Sequence, residues 1–296
     1  MLRTLYKAGV VSLFVIITVV CLSCCRNQVD ERGYVLPQDN IKCLYYNERD
    51  FKRSVTLADS AKSYDRDIKG GIVPHHLLAH EMIASFFKAV SIKKYDYIIV
   101  VAPNHDRIGS LKINTAKGNW ETPFGVLNAG EDIIGSLVDE GTAGNSRSLM
   151  EKEHSISSLV PYIKYYQPDC KIVPLLLHGN LGMENSIEFG RLISKKMKDK
   201  NYLAVASVDF SHYLSVEKAD KMDEITLKAI EERDLKAISR MNNDNLDSPP
   251  GIITLLTIMN ENSIKNMFLL EHNNSAKIAR QNSSSTTGYF TMFFYK

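Results

Sequence analysis

The chain has 296 residues, 44% hydrophobic and 24% charged, a globular composition with ample apolar material for one full core. Its 36 basic and 34 acidic side chains leave a formal net charge of +2. That balance excludes the broad basic footprint of a nucleic-acid binder and the composition of a disordered acidic tail.

Residues 1–25 stand apart. Arg3 and Lys7 precede an uncharged apolar run from Ala8 to Leu22, which is followed by Ser23, Cys24 and Cys25. A basic start, an apolar stretch and then small residues is the layout of a secretory signal. The run is short against the ~20 residues a bilayer span needs. Leu22-Ser23-Cys24-Cys25 also resembles a bacterial lipoprotein processing site, with Cys24 as the lipidated residue, although Cys21 stands where such sites carry leucine. An uncleaved anchor and a cleaved, released chain are the alternatives. All three place the remainder outside the cytoplasm, because the basic residues precede the apolar run. The expected location is therefore extracytoplasmic and membrane-anchored, with the membrane engaged through an N-terminal lipid or anchor. Residues 26–42, polar and containing Gly33 and Pro37, read as a tether. Residues 43–296 read as a single domain. Beyond the signal only Cys43 and Cys170 remain, and sequence alone cannot bring them together.

Residues 45–67 are polar and poorly periodic, with room for one helix. A regular pattern begins at residue 68. Residues 70–74 form a short buried strand, and Leu77, Ile83, Phe86, Phe87 and Val90 give residues 76–90 helical spacing. Residues 97–101 are a second strand, ended by Pro103-Asn104. Helices follow at 156–166, 184–198, 216–232 and 235–241, with strands at 171–177 and 202–208 between them. Pro249-Pro250 opens a helix to about residue 259, and strands at 267–270 and 289–295 end the chain around the Ser/Thr-rich loop 281–287. Short, continuously apolar strands separated by helices predict an α/β fold, a three-layer sandwich whose central sheet is mostly parallel and buried on both faces.

Three histidines fall at equivalent places. His75 follows the strand ending in Val73-Pro74, His105 the strand ending at Val101, and His212 the strand ending at Val208. Strands of a parallel sheet end at one edge, where ligands bind, so residues far apart in sequence can converge there. Neutral imidazole is a common ligand of zinc, copper and iron. His75, His105 and His212 are accordingly the candidate metal ligands. Asp209 is a further ligand or an acceptor that orients a histidine, and His154, at a helix start, is an acid/base candidate. His76 and His80 are four residues apart but lack the HExxH order, because Ala84 stands where the second histidine would be; they read as exposed helix positions. His178 and His272 have no supporting context. There is no GxSxG, P-loop or GxGxxG, and a relay drawn from Ser211, His212 and Asp209 would need sequence neighbours that seldom form one.

The chain resembles the Memo family, known in bacteria and archaea as AmmeMemoRadiSam system protein B. The resemblance rests on Ile72-Val73-Pro74-His75, Val101-Ala102-Pro103-Asn104-His105, Thr122-Pro123-Phe124-Gly125, Glu153-His154-Ser155-Ile156, Ile172-Val173-Pro174-Leu175 and Ser207-Val208-Asp209-Phe210-Ser211-His212-Tyr213, in that order. It implies a Memo/LigB-like fold, similar to class III extradiol dioxygenases, with a cleft holding His75, His105 and His212 beside Asp209. It also implies a divalent metal, iron first, with zinc or copper as alternatives. Many members complete the site with a cysteine in Cys-Gly-x-x-Pro. Here the stretch is Asn245-Leu246-Asp247-Ser248-Pro249-Pro250-Gly251, which places Asn245 at the cysteine's position. Without a thiolate the site is harder and less redox-active.

Two functional classes follow. One is a metal-dependent oxidoreductase or hydrolase acting on a small molecule. The other is a non-catalytic extracytoplasmic lipoprotein that captures a metal or small ligand. A degenerate site on an interaction protein is a third, because fold does not dictate function.

Overall fold

The structure, a computed structural model, describes residues 40–60, 64, 66–281 and 283–296. The secretion and lipidation signals of residues 1–25, Cys24 among them, and the tether up to residue 39 lie outside the described residues. No helix among the described residues is long and apolar enough to cross a membrane.

The strands are β1 (Ile41–Lys42), β2 (Ile68–Val73), β3 (Tyr97–Pro103), β4 (Ile113–Thr115), β5 (Trp120–Thr122), β6 (Gly125–Ala129), β7 (Gly144–Asn145), β8 (Lys171–Leu177), β9 (Tyr202–Ser207), β10 (Asn266–Asn274) and β11 (Gly288–Tyr295). They form one sheet in the order β1-β5-β6-β8-β3-β9-β2-β11-β10, with β4 on β8 and β7 on β4. The middle block β8-β3-β9-β2 is parallel throughout. Antiparallel β11 and β10 close one side. The two-residue β1 pairs with β5 and its Ile41 is fully buried, so the domain begins inside the segment expected to be tether.

Alternation along the central strands explains the three layers. In β3, Ile99 and Val101 face one core while Ile98, Val100 and Ala102 face the other. β8 and β9 divide in the same way, with Val173, Leu175, Ala204 and Ala206 on one side and Ile172, Leu176, Leu203 and Val205 on the other. Burial on both faces is why these strands read as unbroken apolar runs. Helices Met183–Lys196 and Pro249–Glu261 cover the first face. Helices Glu48–Asp59, His80–Val90 and Val160–Tyr166 cover the second. The stretch 106–155 holds short strands and the helices Glu131–Asp139 and Arg147–Lys152, none of which the sequence pattern announced. Its strands have two to five residues, too few for a period to emerge.

Strand β2 is pressed from both layers. A Cβ on Gly70 would lie 2.7 Å from Met259 Sδ, and one on Gly71 would lie 2.3 Å from Phe86 Cε2 and 2.7 Å from the Met292 carbonyl oxygen. The carbonyl belongs to the paired strand β11 and cannot move aside. Gly71→Ala is therefore expected to destabilise the protein by about 1–3 kcal/mol through overpacking, seen as a lower midpoint in thermal denaturation. An unchanged midpoint would mean that β2 and β11 can separate locally without loss.

Candidate functional site

The C-terminal ends of β2, β3, β8 and β9 open into one cleft of about 400 Å³. His75, His76, His105, His154, Asp209, His212 and Asp247 line it, together with Arg107, Tyr213 and Asn243. All five residues singled out from the sequence pattern thus reach the same cavity. Their spacing within it differs. One donor atom each from His75, His105 and His154 lie within 4.8 Å of one another, as do those of His75, Asp209 and Asp247. His212 belongs to neither group; its ring lines the wall, with a buried Nδ1 that has no hydrogen-bond partner among the described residues.

Each inner imidazole is oriented from behind. The Ser207 hydroxyl donates to the Ser155 carbonyl, so its oxygen is left to accept from His75 Nδ1–H at 3.2 Å. His75 Nε2 then points to Asp247 Oδ2 at 3.3 Å and Asp209 Oδ2 at 3.6 Å. The backbone N–H of His75 donates to Asp209 Oδ1 at 3.0 Å, fixing that carboxylate. His105 Nδ1–H donates to Glu153 Oε1 at 2.9 Å, which turns Nε2 toward Asp247 Oδ2 at 3.6 Å. Glu153 also accepts from the backbone N–H groups of His105 and Ser155, and His154 Nδ1 lies 3.3 Å from its Oε1. The His154 ring stacks on His105 with centroids 4.5 Å apart.

Sequence reasoning missed Glu153 and Asp247 as functional residues. Glu153 looked like a helix start, and it does cap helix His154–Ser157, but its buried carboxylate also orients the site. Asp247 sits in the loop before helix Pro249–Glu261, where no strand-end signal marks it. Asn245, which the resemblance places at the family cysteine's position, donates its amide to Thr226 Oγ1 at 3.1 Å and is not among the residues lining the cleft, whereas Asp247, two residues on, faces both histidines. Of the two histidines read as exposed helix positions, His76 is exposed and precedes the helix, and His80 is half-buried at its start. His76 lines the cleft with Nδ1 on the Tyr289 hydroxyl, and His80 Nδ1 bonds the Leu77 carbonyl at 3.0 Å. Cys43 and Cys170 are free thiols, and burial pushes both up, to about 11 and about 12.

The donor set fits a divalent cation. Donors about 2.1 Å from a tetrahedral ion stand ~3.4 Å apart, close to the spacings of Asp247 Oδ2 from the two Nε2 atoms. Asp247 Oδ1 is buried without a hydrogen-bond partner among the described residues, a cost that a bound cation would offset. The electrostatics of the metal-free cleft follow from its crowding. Burial disfavours charge on His105, but its hydrogen bonds to the Asp247 and Glu153 carboxylates outweigh it and raise the imidazole to about 10. Burial pushes Glu153 up, yet its bond with His105 and the two backbone N–H donors bring it down to about 2. Burial, then the neighbouring His75 and His105, lower His154 to about 4.

A model for the Memo-like protein family matches residues 44–293. Among curated proteins, a MEMO1 family protein of Pyrobaculum aerophilum is 28% identical over 236 residues, covering 77% of this chain and 83% of that one. A MEMO1 family protein of Pyrobaculum arsenaticum is 27% identical over 275 residues, covering 89% and 97%. Among solved structures, an uncharacterized protein of Escherichia coli K12 superposes with a TM-score of 0.53 at 12% identity, covering 76% of this chain and 99% of that one; that likeness is one of fold.

Two outcomes are expected. Glu153→Gln keeps the shape of the side chain but removes the charge that orients His105, and should weaken metal binding roughly 10–100-fold by competition with a chelator. In the metal-free protein at pH 7 His105 is protonated and must lose that proton to bind a cation. Calorimetry in two buffers should register about one proton released per ion, with affinity rising ~tenfold per pH unit toward pH 10. Affinity flat between pH 6 and 8 would mean that His105 is already neutral.

Proposed function

This chain belongs to the Memo family, and on that footing we propose that it is a metal-dependent enzyme acting on a small molecule outside the cytoplasm, with an iron(II)-type centre held by His75, His105 and Asp247. The observation that supports it is the convergence of two Nε2 atoms on one carboxylate oxygen, 3.3 and 3.6 Å away. Two histidines and a carboxylate with open positions are the donor set of non-haem iron(II) oxygenases. Zinc is the second choice of ion, and with it the chemistry is hydrolytic. Copper ranks last, because no cysteine among the described residues lines the cleft.

When bound, the ion supplies a positive centre that polarises a substrate or a coordinated oxygen donor. The chain's own residues do the remainder. Glu153 and Ser207 hold the imidazoles in the tautomer that presents Nε2. His154, lowered to about 4, is neutral at pH 7 and therefore accepts protons rather than donating them. Asp209 stands beside His75 as a further donor to the ion or as a proton acceptor. His212 presents a ring in the wall whose buried nitrogen is free to take a partner.

One observation favours the non-catalytic alternative. Two groups of three donors, His75 with His105 and His154 and His75 with Asp209 and Asp247, share one imidazole, and an ion that drew in donors of both would have its coordination sphere closed, leaving capture without turnover. Elemental mass spectrometry on tag-free protein, beside a His75→Ala/His105→Ala variant, tests the metal reading. Near-stoichiometric iron in the first and none in the second is expected. Negligible metal in both after anaerobic reloading with Fe(II), Zn and Cu would sink it.

The extracytoplasmic, membrane-held location is part of the proposal and is supported by the layout of residues 1–25. Cys24→Ser expressed in a bacterial host should lose incorporation of labelled palmitate. Equal labelling of variant and wild type would assign the lipid elsewhere, and no labelling of either would favour an uncleaved anchor.

A further inference from the structure

Six non-glycine residues among those described have a positive φ: Arg107, Asp199, Tyr213, Arg233, Ser263 and Arg280. Four have an ordinary cause. Asp199, Arg233, Ser263 and Arg280 follow or end the helices Met183–Lys196, Val216–Glu231, Pro249–Glu261 and Ser275–Ala279, where a left-handed residue commonly closes the last turn. Arg107 (φ +54°) and Tyr213 (φ +59°) end no helix. They lie in the loops after the neighbouring strands β3 and β9, and both line the cleft. Such backbone is costly for a long side chain and gathers where a site needs a group aimed in one direction.

The surroundings of the two side chains point the same way. Arg107 is the one arginine or lysine lining the cleft, and it has no ion pair among the described residues. Its loop is pinned from below by the buried Asn104. The Asn104 side-chain amide donates to the Ile108 carbonyl at 2.6 Å, and Arg107 N–H donates to the Asn104 carbonyl at 3.2 Å. Tyr213 is 76% exposed, an aromatic ring left in solvent beside a polar cavity. Deeper in, Asp209 and Asp247 make the inner end acidic. An anionic group would be repelled there and held at Arg107, whose planar fork fits a carboxylate or a phosphate.

We propose that Arg107 and Tyr213 form an anion-binding subsite at the outer part of the cleft, so that the small molecule taken by this site carries a carboxylate or phosphate and presents its other end to His75, His105 and Asp247. The inference rests on the metal-centre reading for what happens at the inner end, but the subsite itself does not need the ion.

Calorimetric titration with benzoate, phenyl phosphate and the neutral benzamide tests it on the full chain. At least one anion should bind the metal-loaded protein ten-fold or more tighter than benzamide, and whichever anion binds tighter assigns carboxylate or phosphate. Arg107→Ala should bring that anion down to the level of benzamide, with metal content unchanged. Arg107→Lys should keep part of the preference, and Tyr213→Ala should weaken all three probes. Arg107→Gly suits the left-handed backbone, so it should raise the thermal midpoint while abolishing the preference. No preference for either anion in the wild type, or a preference untouched by Arg107→Ala, overturns the subsite. Repeating the titration on chelator-treated protein separates the two readings. An Arg107-dependent preference in protein that takes up no metal would leave the subsite standing and the metal centre not. Anion binding that vanishes with the metal and ignores Arg107 would do the reverse.

Discussion

Everything at the site depends on one constraint: four adjacent strands, β8, β3, β9 and β2, run parallel and are buried on both faces. Parallel strands need crossovers, so both faces are covered by helices and only the strand ends are left for polar groups. At the carboxyl edge the ladder stops, and the chain must satisfy its last backbone groups with side chains. The N–H of His75 goes to Asp209, that of His105 to Glu153, and that of Asp209 faces Asp247 at 3.3 Å. The same carboxylates that finish the backbone hydrogen bonding are thereby delivered beside the imidazoles. Fold and site share their polar groups.

This sharing explains how so many ionisable groups are tolerated in one buried place. An isolated buried carboxylate would neutralise or unfold its surroundings. Glu153 instead has two backbone donors and a histidine, and His105 has a carboxylate at each ring nitrogen. The arrangement is a charge network with one unsettled member, Asp247, whose second oxygen has no partner among the described residues. A second pair, the buried Asp223 with His272 Nε2 at 2.8 Å, lies behind the cleft wall and is fully engaged, with Ser211 N–H on its other oxygen. The contrast is informative. Asp223 has a partner on each oxygen, whereas Asp247 keeps one oxygen unfilled at the cleft.

How much of this was legible follows from the same geometry. Strands buried on both faces announce themselves as apolar runs, so β2, β3, β8 and β9 and the residues just after them could be read in order; His75, His105, Asp209 and His212 all belong to that set. Asp247 could not be found that way, because it arrives from the loop that precedes helix Pro249–Glu261 and meets the segment after β9 through its N–H on the Asp209 carbonyl, the Asp209 N–H on its carboxylate and the Phe210–Leu246 bridge. The family motif drew attention to Asn245, whereas the side chain that faces the histidines is that of Asp247, just before the Ser248 cap. His154 was read as an acid/base group at a helix start, and the depth of its contact with His105 is set by Glu153, whose role no local pattern carries.

Asp247 also sets the kind of donor that the cleft offers an ion, because it faces both His75 and His105. A thiolate in this position would bring a soft, oxidisable donor to the ion. A carboxylate brings a hard donor that does not oxidise. A cysteine beside a redox-active ion would be the first group lost under oxidising conditions. The one donor supplied by a loop is thus an oxygen, while the strand-end His75 and His105, with Glu153 behind His105, form the preorganised part of the site. The two thiols among the described residues add no soft donor: Cys170 is buried and Cys43 is held against the Ser157 carbonyl, both pushed by burial away from the thiolate form and neither lining the cleft.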